Sequence, residues 1–364
     1  MEFIYKYAAL PNDKTLLKGI NDAAFRMYEK IRRLDLNSLN ISDYSKKYFG
    51  DHIRNLHSTL ERYAHILVWA VADNNNNLSD FVLLDYGGGT GLLSLLAKEY
   101  NIGTVIYNDI YDVSCTDARE IGSAIENKAD YYICGDIDET LRFLMENNIQ
   151  CNSIASCDVI EHIYDIEGYI KKIKFLGNES TFNIVMSSNA NPFNLFVRKS
   201  IEKIQIDFEH RNREYKYGHK RRDSLKSYAN IRKEIIRGYA EDLEESDIKR
   251  LAKATRGMIE KDIKKAVDIF NQAKNIPKEL DHRTNTCDPY TGNWAEHLMD
   301  PFYLKDLLIR EGFKTDVLTG HYGRSSSFIK YVAGGLLNIC IKNSGRHGIR
   351  LAPGYIIYGK RSFI

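Results

Sequence analysis

Through residues 14 to 75 apolar side chains recur three and four positions apart. The series runs through Ala23, Met27, Ile31 and Leu34, then through Leu56, Leu60, Tyr63, Ile66 and Trp69. That is the spacing of a helix with one face turned to a core, so residues 1–80 are expected to form an N-terminal helical region. The run Asn74-Asn75-Asn76-Asn77 is a polar break. After it the pattern changes. Phe81-Val82-Leu83-Leu84 is a short apolar run that ends in glycines, and Leu92 to Tyr100 reads as a helix. Further strand-like runs follow at Val105-Ile106-Tyr107, Tyr131-Tyr132-Ile133-Cys134, Ser153-Ile154-Ala155-Ser156 and Phe182-Asn183-Ile184-Val185-Met186. Short apolar strands alternating with helices predict an α/β fold, Rossmann-like, with a doubly wound, mostly parallel seven-stranded sheet.

A second change comes after Pro192. Residues 195 to 275 are charged and helix-prone, with no good strand. The expected division is therefore a core beginning at 81–191, a helical insertion at 192–281 that caps an acceptor, and the rest of the core at 282–364. Strand-like segments return at Lys314 to Leu318, at Ile339-Cys340-Ile341 and at Tyr355-Ile356-Ile357-Tyr358.

Composition narrows the function only a little. The chain of 364 residues is 43% hydrophobic and 27% charged, with a net charge of +2, so it is neither a disordered chain nor a polycation built for nucleic acid. Its six cysteines are scattered, without a CxxC pair or zinc spacing, which predicts reduced thiols, no metal and a cytoplasmic protein. No apolar run is long enough to span a bilayer.

The chemistry concentrates at Asp85-Tyr86-Gly87-Gly88-Gly89-Thr90-Gly91, where a strand passes into a helix. Glycines there let backbone approach a ligand. The dinucleotide fingerprint needs a third glycine three residues after the second; that place is Leu92, which argues against a dehydrogenase. Asp85 also repels a pyrophosphate yet suits a cationic amine. The next strand ends in Asn108-Asp109, eighteen residues after Gly91, where a carboxylate can accept both hydroxyls of a ribose. The third ends in Gly135-Asp136-Ile137, with an acid for an adenine amino group and Ile137 to cover the ring. The fourth leads to Cys157-Asp158-Val159-Ile160-Glu161-His162. Acids at four consecutive strand ends make one crevice.

Taken together, Asp-x-Gly-x-Gly-x-Gly, Asn-Asp, Gly-Asp and Asp-Val-Ile-Glu-His-Ile resemble the class I S-adenosylmethionine (SAM)-dependent methyltransferases. The branch with ubiquinone-pathway and bacterial polysaccharide-cluster enzymes is the most similar. The resemblance covers 81–190 and resumes over 293–364, where Trp294-Ala295-Glu296-His297-Leu298 leads into Leu304 to Phe313. It implies SAM as cofactor and S-adenosylhomocysteine (SAH) as product. Asp85, Tyr86, Gly87, Gly88, Gly89 and Gly91 would cradle the methionine part. Asp109 would take the ribose and Asp136 the adenine, with Ile137 over the ring, and Asp158 and His162 would line the sulfonium side; Ile110 and Val159 would belong to the same cofactor site.

Methyl transfer is mainly an alignment problem, and an oxygen or nitrogen nucleophile also needs a proton acceptor. His162, Glu161 and His297 are the catalytic candidates. If residues 158–162 are helical, Asp158 and His162 share a face. From Arg198 to Arg237 there are 13 Lys/Arg against 6 Asp/Glu. That bias fits either solvated helix faces or a cap for a phosphorylated or nucleotide-linked acceptor. Candidate acceptor ligands are Asn189, Asn191, His210, Arg213, His219, Arg221, Arg222, Asn293 and Trp294. The polar segment Asp281-His282-Arg283-Thr284-Asn285 is read as a closing loop. The expected activity is O-methylation of a sugar, sugar nucleotide or other small hydroxyl acceptor in surface-polysaccharide or related biosynthesis. The alternatives are a nucleic-acid methyltransferase, which lacks an Asn/Asp-Pro-Pro-Tyr motif here, and a non-catalytic SAM-binding protein. A homo-oligomer stays open.

Overall fold

Each of the first five strands contains a short apolar run that a polar or glycine residue stops. β1 (Val82–Tyr86), β2 (Thr104–Asp109), β4 (Ser153–Cys157) and β5 (Thr181–Ser188) are almost wholly buried, whereas β3 (Tyr131–Cys134) is partly exposed at the sheet edge. In this computed structural model all residues are described except 7, 74–76, 178–180, 222, 277–284, 325–326 and 363–364. The Asn74 to Asn76 break, Arg222 and Asp281 to Thr284 therefore lie outside the described residues.

Among the described residues seven strands form one sheet in the order β3-β2-β1-β4-β5-β7-β6, with β6 at Lys314–Thr319 and β7 at Tyr355–Ser362. β1 to β5 pair in parallel; β7 runs antiparallel to both β5 and β6. The expected mostly parallel, Rossmann-like sheet is thus present. The helices α4 (Leu92–Glu99), α5 (Asp112–Ala124), α6 (Ile137–Glu146), α7 (Ile166–Ile173) and α12 (Pro301–Arg310) provide the connections.

The chain divides into two compact units. The first comprises Met1–Ile160, Ile166–Asn189 and Asp300–Ile364; the second comprises Glu161–Asp165 and Ala190–Met299. In the first unit, α1 (Lys14–Arg32), α2 (Asp43–Arg54) and α3 (Leu56–Ala70) belong to the same core as the sheet. Ile20, Met27, Ile31, Leu60 and Ile66 pack in one cluster with Leu83, Leu92 and Leu96. Asp13 caps α1 by accepting from Leu16 N at 2.9 Å, a contact typically worth about 1 kcal/mol. A polar residue within an apolar strand explains how α3 is tied down. Asn183 of β5 donates to the carbonyls of Ala70 at 3.2 Å and Ala72 at 2.9 Å, which the end of a helix leaves without intrahelical donors.

The same unit corrects one expectation. Ile339-Cys340-Ile341 is not a strand but part of α13 (Phe328–Asn343). Its β-branched residues suggested a strand locally. The helix instead extends through Gly334 and Gly335 to a contact made by Asn338.

The second unit is helical: α8 (Leu195–His210), α9 (Tyr228–Tyr239), α10 (Glu245–Ala254) and α11 (Glu260–Ala273). Ile236, Leu251, Ile263, Val267 and Phe270 form its core. Arg232 is fully buried there, paired with Glu209 and donating Nε to the Ala252 carbonyl at 2.8 Å. Glu209 also accepts from Thr286 Oγ1 at 2.5 Å, so the buried charges are hydrogen-bonded as well as paired.

Candidate functional site

The strand order reverses between β1 and β4. In an open α/β sheet that switch point leaves a crevice outside the carboxyl ends of the two strands. The glycine turn stands there, and its backbone is held from several sides. Gly88 N donates to Asn108 O at 2.8 Å, Gly91 N donates to Gly88 O at 2.8 Å, and Tyr107 Oη donates to Gly89 O at 2.6 Å. Two glycines are required by space. Gly87 has φ +70°, and a Cβ there would lie 2.5 Å from Val159. At Gly88 a Cβ would lie 2.6 Å from the Tyr107 ring and 2.9 Å from Asp85 Oδ2. Tyr86 is buried against Tyr169, with ring centroids 5.1 Å apart.

The four acids have different surroundings. Asp85 is buried beneath the turn and accepts from Ser94 N at 3.0 Å and Ser94 Oγ at 2.7 Å. Burial pushes its carboxyl up to about 7 despite those donors. Asp109 accepts from Gly89 N at 3.0 Å through Oδ2 and from Tyr111 N at 2.8 Å through Oδ1. A carboxylate offers about four acceptor sites, so it can stiffen the turn and still accept from a ligand. Asp136 caps α6, accepting from Asp138 N at 2.7 Å, with Glu139 completing a capping box. Asp158 accepts from Asn189 N at 3.1 Å and Asn189 Nδ2 at 3.0 Å, and pairs with Arg62. Ile137 is buried at the start of α6, while Ile110 is 56% exposed; of the two, Ile110 is the apolar side chain open to a ligand.

The geometry also overturns a conditional reading. Asp158 has φ +55° and precedes a short 3-10 turn at Ile160–His162. Asp158 and His162 therefore do not stand one α-helical turn apart. Asn189 is exposed and donates to Asp158 through N and Nδ2.

Sequence reasoning missed the contribution of the N-terminal helices to this edge. A Cβ at Gly89 would lie 3.3 Å from Tyr48 Cε1 of α2. Tyr48 meets His52 edge-on at 4.6 Å and Tyr44 in a stack at 5.7 Å. Burial and the Arg62 charge hold the His52 ring down to about 4. Arg62, from α3, reaches Asp158 and lies 5.4 Å from the Tyr63 ring. A charged Arg within a largely buried helix was the available signal.

In the second unit Glu161, His162, Trp294 and His297 come together. Trp294 N donates to His162 O at 3.3 Å and His297 N to Glu161 O at 3.0 Å. His162 Nδ1 lies 2.9 Å from Trp294 O. A carbonyl only accepts, so Nδ1 carries a proton, and the neutral tautomer compatible with this contact has its lone pair on Nε2. Glu296 Oε1 is 3.9 Å from that nitrogen. The Trp294 ring stands between Tyr164 at 5.5 Å and His297 at 4.5 Å. Asn293 is partly buried beside this group.

The other acceptor candidates are dispersed within that unit. Asn191 is buried and accepts from Phe193 N at 3.0 Å. Arg213 does not extend as a phosphate ligand: its guanidinium lies 3.8 Å from the Phe208 ring centroid and donates to backbone carbonyls of Ser224 and Lys226. His210 and Arg221 are exposed, and His219 packs edge-on to Tyr215 at 6.4 Å. Several of these cations are paired locally, in Arg198–Glu202, Arg211–Asp207, Lys226–Glu234 and Arg237–Glu245, while the excess of base over the stretch stays. That is the arrangement of solvated helix faces.

No family model matches the chain, and no curated protein matches it. Solved structures do. A SAM-dependent methyltransferase from Archaeoglobus fulgidus is 15% identical, with 86% of this chain and 99% of that one covered and a TM-score of 0.39. Magnesium protoporphyrin IX methyltransferase from Synechocystis, solved with bound SAM, is 18% identical over 50% of this chain and 77% of that one, with a TM-score of 0.29. Ribosomal protein L11 methylase from Lactobacillus delbrueckii is 18% identical over 36% of this chain, with a TM-score of 0.28; this chain spans 60% of its length, less than two thirds.

Proposed function

We propose that this protein is a SAM-dependent methyltransferase whose acceptor is a small hydroxyl compound, a sugar or sugar nucleotide among them. One observation carries the reading: at the sheet's switch point a braced glycine turn stands against Asp109, whose carboxylate fixes the turn through Gly89 N. The donor set fits SAM. Asp109 suits ribose hydroxyls, the exposed Ile110 suits the flat face of adenine, and the turn backbone suits the methionine portion. Asp85 acts from beneath the turn as a buried carboxyl that a cationic ligand would ionise. Asp158 acts through its hold on Asn189 and Arg62 rather than as a free carboxylate.

When bound, SAM supplies an electrophilic methyl group on a sulfonium. The protein's own task is to orient the acceptor and remove a proton. His162 is equipped for the second part, because Trp294 O fixes its tautomer and leaves Nε2 as proton acceptor. In the transfer the acceptor O–H proton would pass to a base such as His162 Nε2 while the methyl–sulfur bond breaks and SAH is left. Glu296 then faces an imidazolium. His297 and Glu161 line the same group and hold the backbone around it. The choice of a hydroxyl acceptor is supported by this proton-accepting cluster and by the polysaccharide-branch resemblance. Assignment of acceptor recognition to the helical unit, and a cytoplasmic location, belong to the same reading.

The test is calorimetric titration with SAM, SAH and NAD, followed by mass spectrometry of methyl transfer to a panel of nucleotide sugars and polysaccharide fragments. SAM and SAH should bind and raise the melting temperature (Tm), as any ligand of the native state does, and NAD should not. Absence of SAM and SAH binding overturns the proposal. SAM binding with transfer only to RNA would replace the acceptor class and keep the cofactor.

A further inference from the structure

α13 is oriented opposite to a water-facing helix. It packs on its own unit through Gly334, Asn338 and Ile341. The polar member of that set fixes the contact: Asn338 Oδ1 accepts from Tyr322 N at 2.8 Å and Nδ2 donates to Tyr322 O at 2.9 Å. The other side carries Phe328 (78% exposed), Ile329 (79%), Val332 (43%), Leu336 (62%) and Ile339 (39%). Phe328, Val332, Leu336 and Ile339 follow helical spacing and make one stripe. Isolated apolar residues on a surface mean little; a contiguous exposed stripe marks an interaction site.

Charge identifies the occupant. From Val317 to Ile364 the sequence has seven Lys/Arg and no Asp or Glu. Arg324, Lys330, Arg346 and Arg350 are exposed at or beside the helix. An apolar stripe on a segment whose charges are all basic matches a surface that offers hydrocarbon beneath negative headgroups. A two-fold contact with a second copy would set these cations against their own counterparts. The helix has 16 residues, about 24 Å at the usual rise, which is short of the roughly 30 Å hydrocarbon core. None of the described helices is long and apolar enough to cross a membrane. The orientation that remains is parallel to the surface.

We propose that α13 is an interfacial helix that docks this protein on an anionic phospholipid membrane. The stripe enters the headgroup boundary, and the rim cations hold lipid phosphates. A methyltransferase placed this way has access to acceptors carried on or released near a membrane, but the docking does not depend on the methyl-transfer reading.

The experiment is cosedimentation of the full chain with vesicles of phosphatidylcholine alone, or of phosphatidylcholine with about a third phosphatidylglycerol. The wild type should pellet with the anionic vesicles and not with the neutral ones. Release is expected at about 1 M salt, where the screening length falls to about 3 Å. The Phe328→Ser/Leu336→Ser variant should keep its Tm and its SAM affinity, since both side chains are exposed, and should bind anionic vesicles at least about tenfold more weakly. Lys330→Glu/Arg346→Glu should weaken binding to the same vesicles and leave the stripe intact. The proposal is overturned if the wild type ignores anionic vesicles or binds neutral ones equally. It is also overturned if both variants bind as the wild type does, or if light scattering shows a dimer that the serine variant abolishes.

Discussion

Arg62 in α3 and Asp158 after β4, 96 residues apart in sequence, form an ion pair beside the glycine turn. The pair joins an N-terminal helix to the strand end where the sheet order reverses. In Arg62→Met, Asp158 keeps only its two bonds from Asn189. The loss of stability should be about 1–3 kcal/mol, between the values for an exposed pair and a buried one. SAM affinity should fall with it, because the loop that carries Val159 against Gly87 loosens. Thermal unfolding and calorimetry read both quantities; an unchanged affinity in a destabilised protein would restrict the pair to a structural role.

Asp109→Asn is the sharper probe of the crevice. The amide can still accept from Gly89 N, so the turn should persist, while the acceptor lost at Tyr111 N should cost about 1–3 kcal/mol of stability. The hydrogen bonds of a carboxylate to ribose hydroxyls are worth about 1.5–3 kcal/mol each, so the Kd for SAH should rise at least about tenfold. An Asn variant that binds SAH as tightly as the wild type removes Asp109 from the cofactor site.

Asp85 predicts a pH dependence of binding. Its carboxyl is raised from 3.8 to about 7 by burial, so the free protein holds a proton there below neutrality. A cationic ligand over the turn lowers that value, and binding then releases the proton. SAM affinity should therefore fall as pH drops below about 7, by at most tenfold per unit. Asp85→Asn should flatten the profile. Profiles of equal slope in the two proteins would show that Asp85 does not sense the ligand.

His65 predicts a pH dependence of stability. Its ring is buried, Nδ1 lies 2.6 Å from Glu61 O, and Nε2 accepts from Tyr5 N at 3.1 Å. Burial, with the neighbouring His321, lowers its folded value from 6.5 to about 3. The unfolded chain therefore takes up the proton first, and stability is lost as pH falls from 6.5 toward 3. Asp85 works in the opposite direction below 7, so the informative quantity is the difference between wild type and His65→Gln. The wild-type Tm should fall more steeply through that window, and parallel Tm curves would count against the assignment.

Much of the sheet is legible because the parallel strands contain compact apolar runs with distinct stops. Leu83-Leu84 ends at Asp85 and the glycines, and Val105-Ile106-Tyr107 at Asn108-Asp109. Local spacing could show that acids gather at strand ends, but not what each acid touches. Ser94 turns Asp85 inward, and Arg62 reaches Asp158 across a sequence separation that leaves no periodic trace. α13 was misread for a related reason. A strand and a helix with apolar residues on most sides look alike over three residues, and only Asn338, bonded to Tyr322, reveals which face is inside.

β7 is the last strand in sequence, yet it lies between β5 and β6. β6 pairs only with β7 among the described strands, so it has no place in the sheet until the later segment arrives. β1 to β5 can assemble as the chain emerges during synthesis, whereas the final pairings must wait. Strand insertion of this kind joins distant parts of the chain and is intrinsically slow. Until it occurs, β5 offers an open edge on which a nascent chain can stick to its neighbours. The order of the strands thus makes completion of this half of the sheet a late event in the protein's biogenesis.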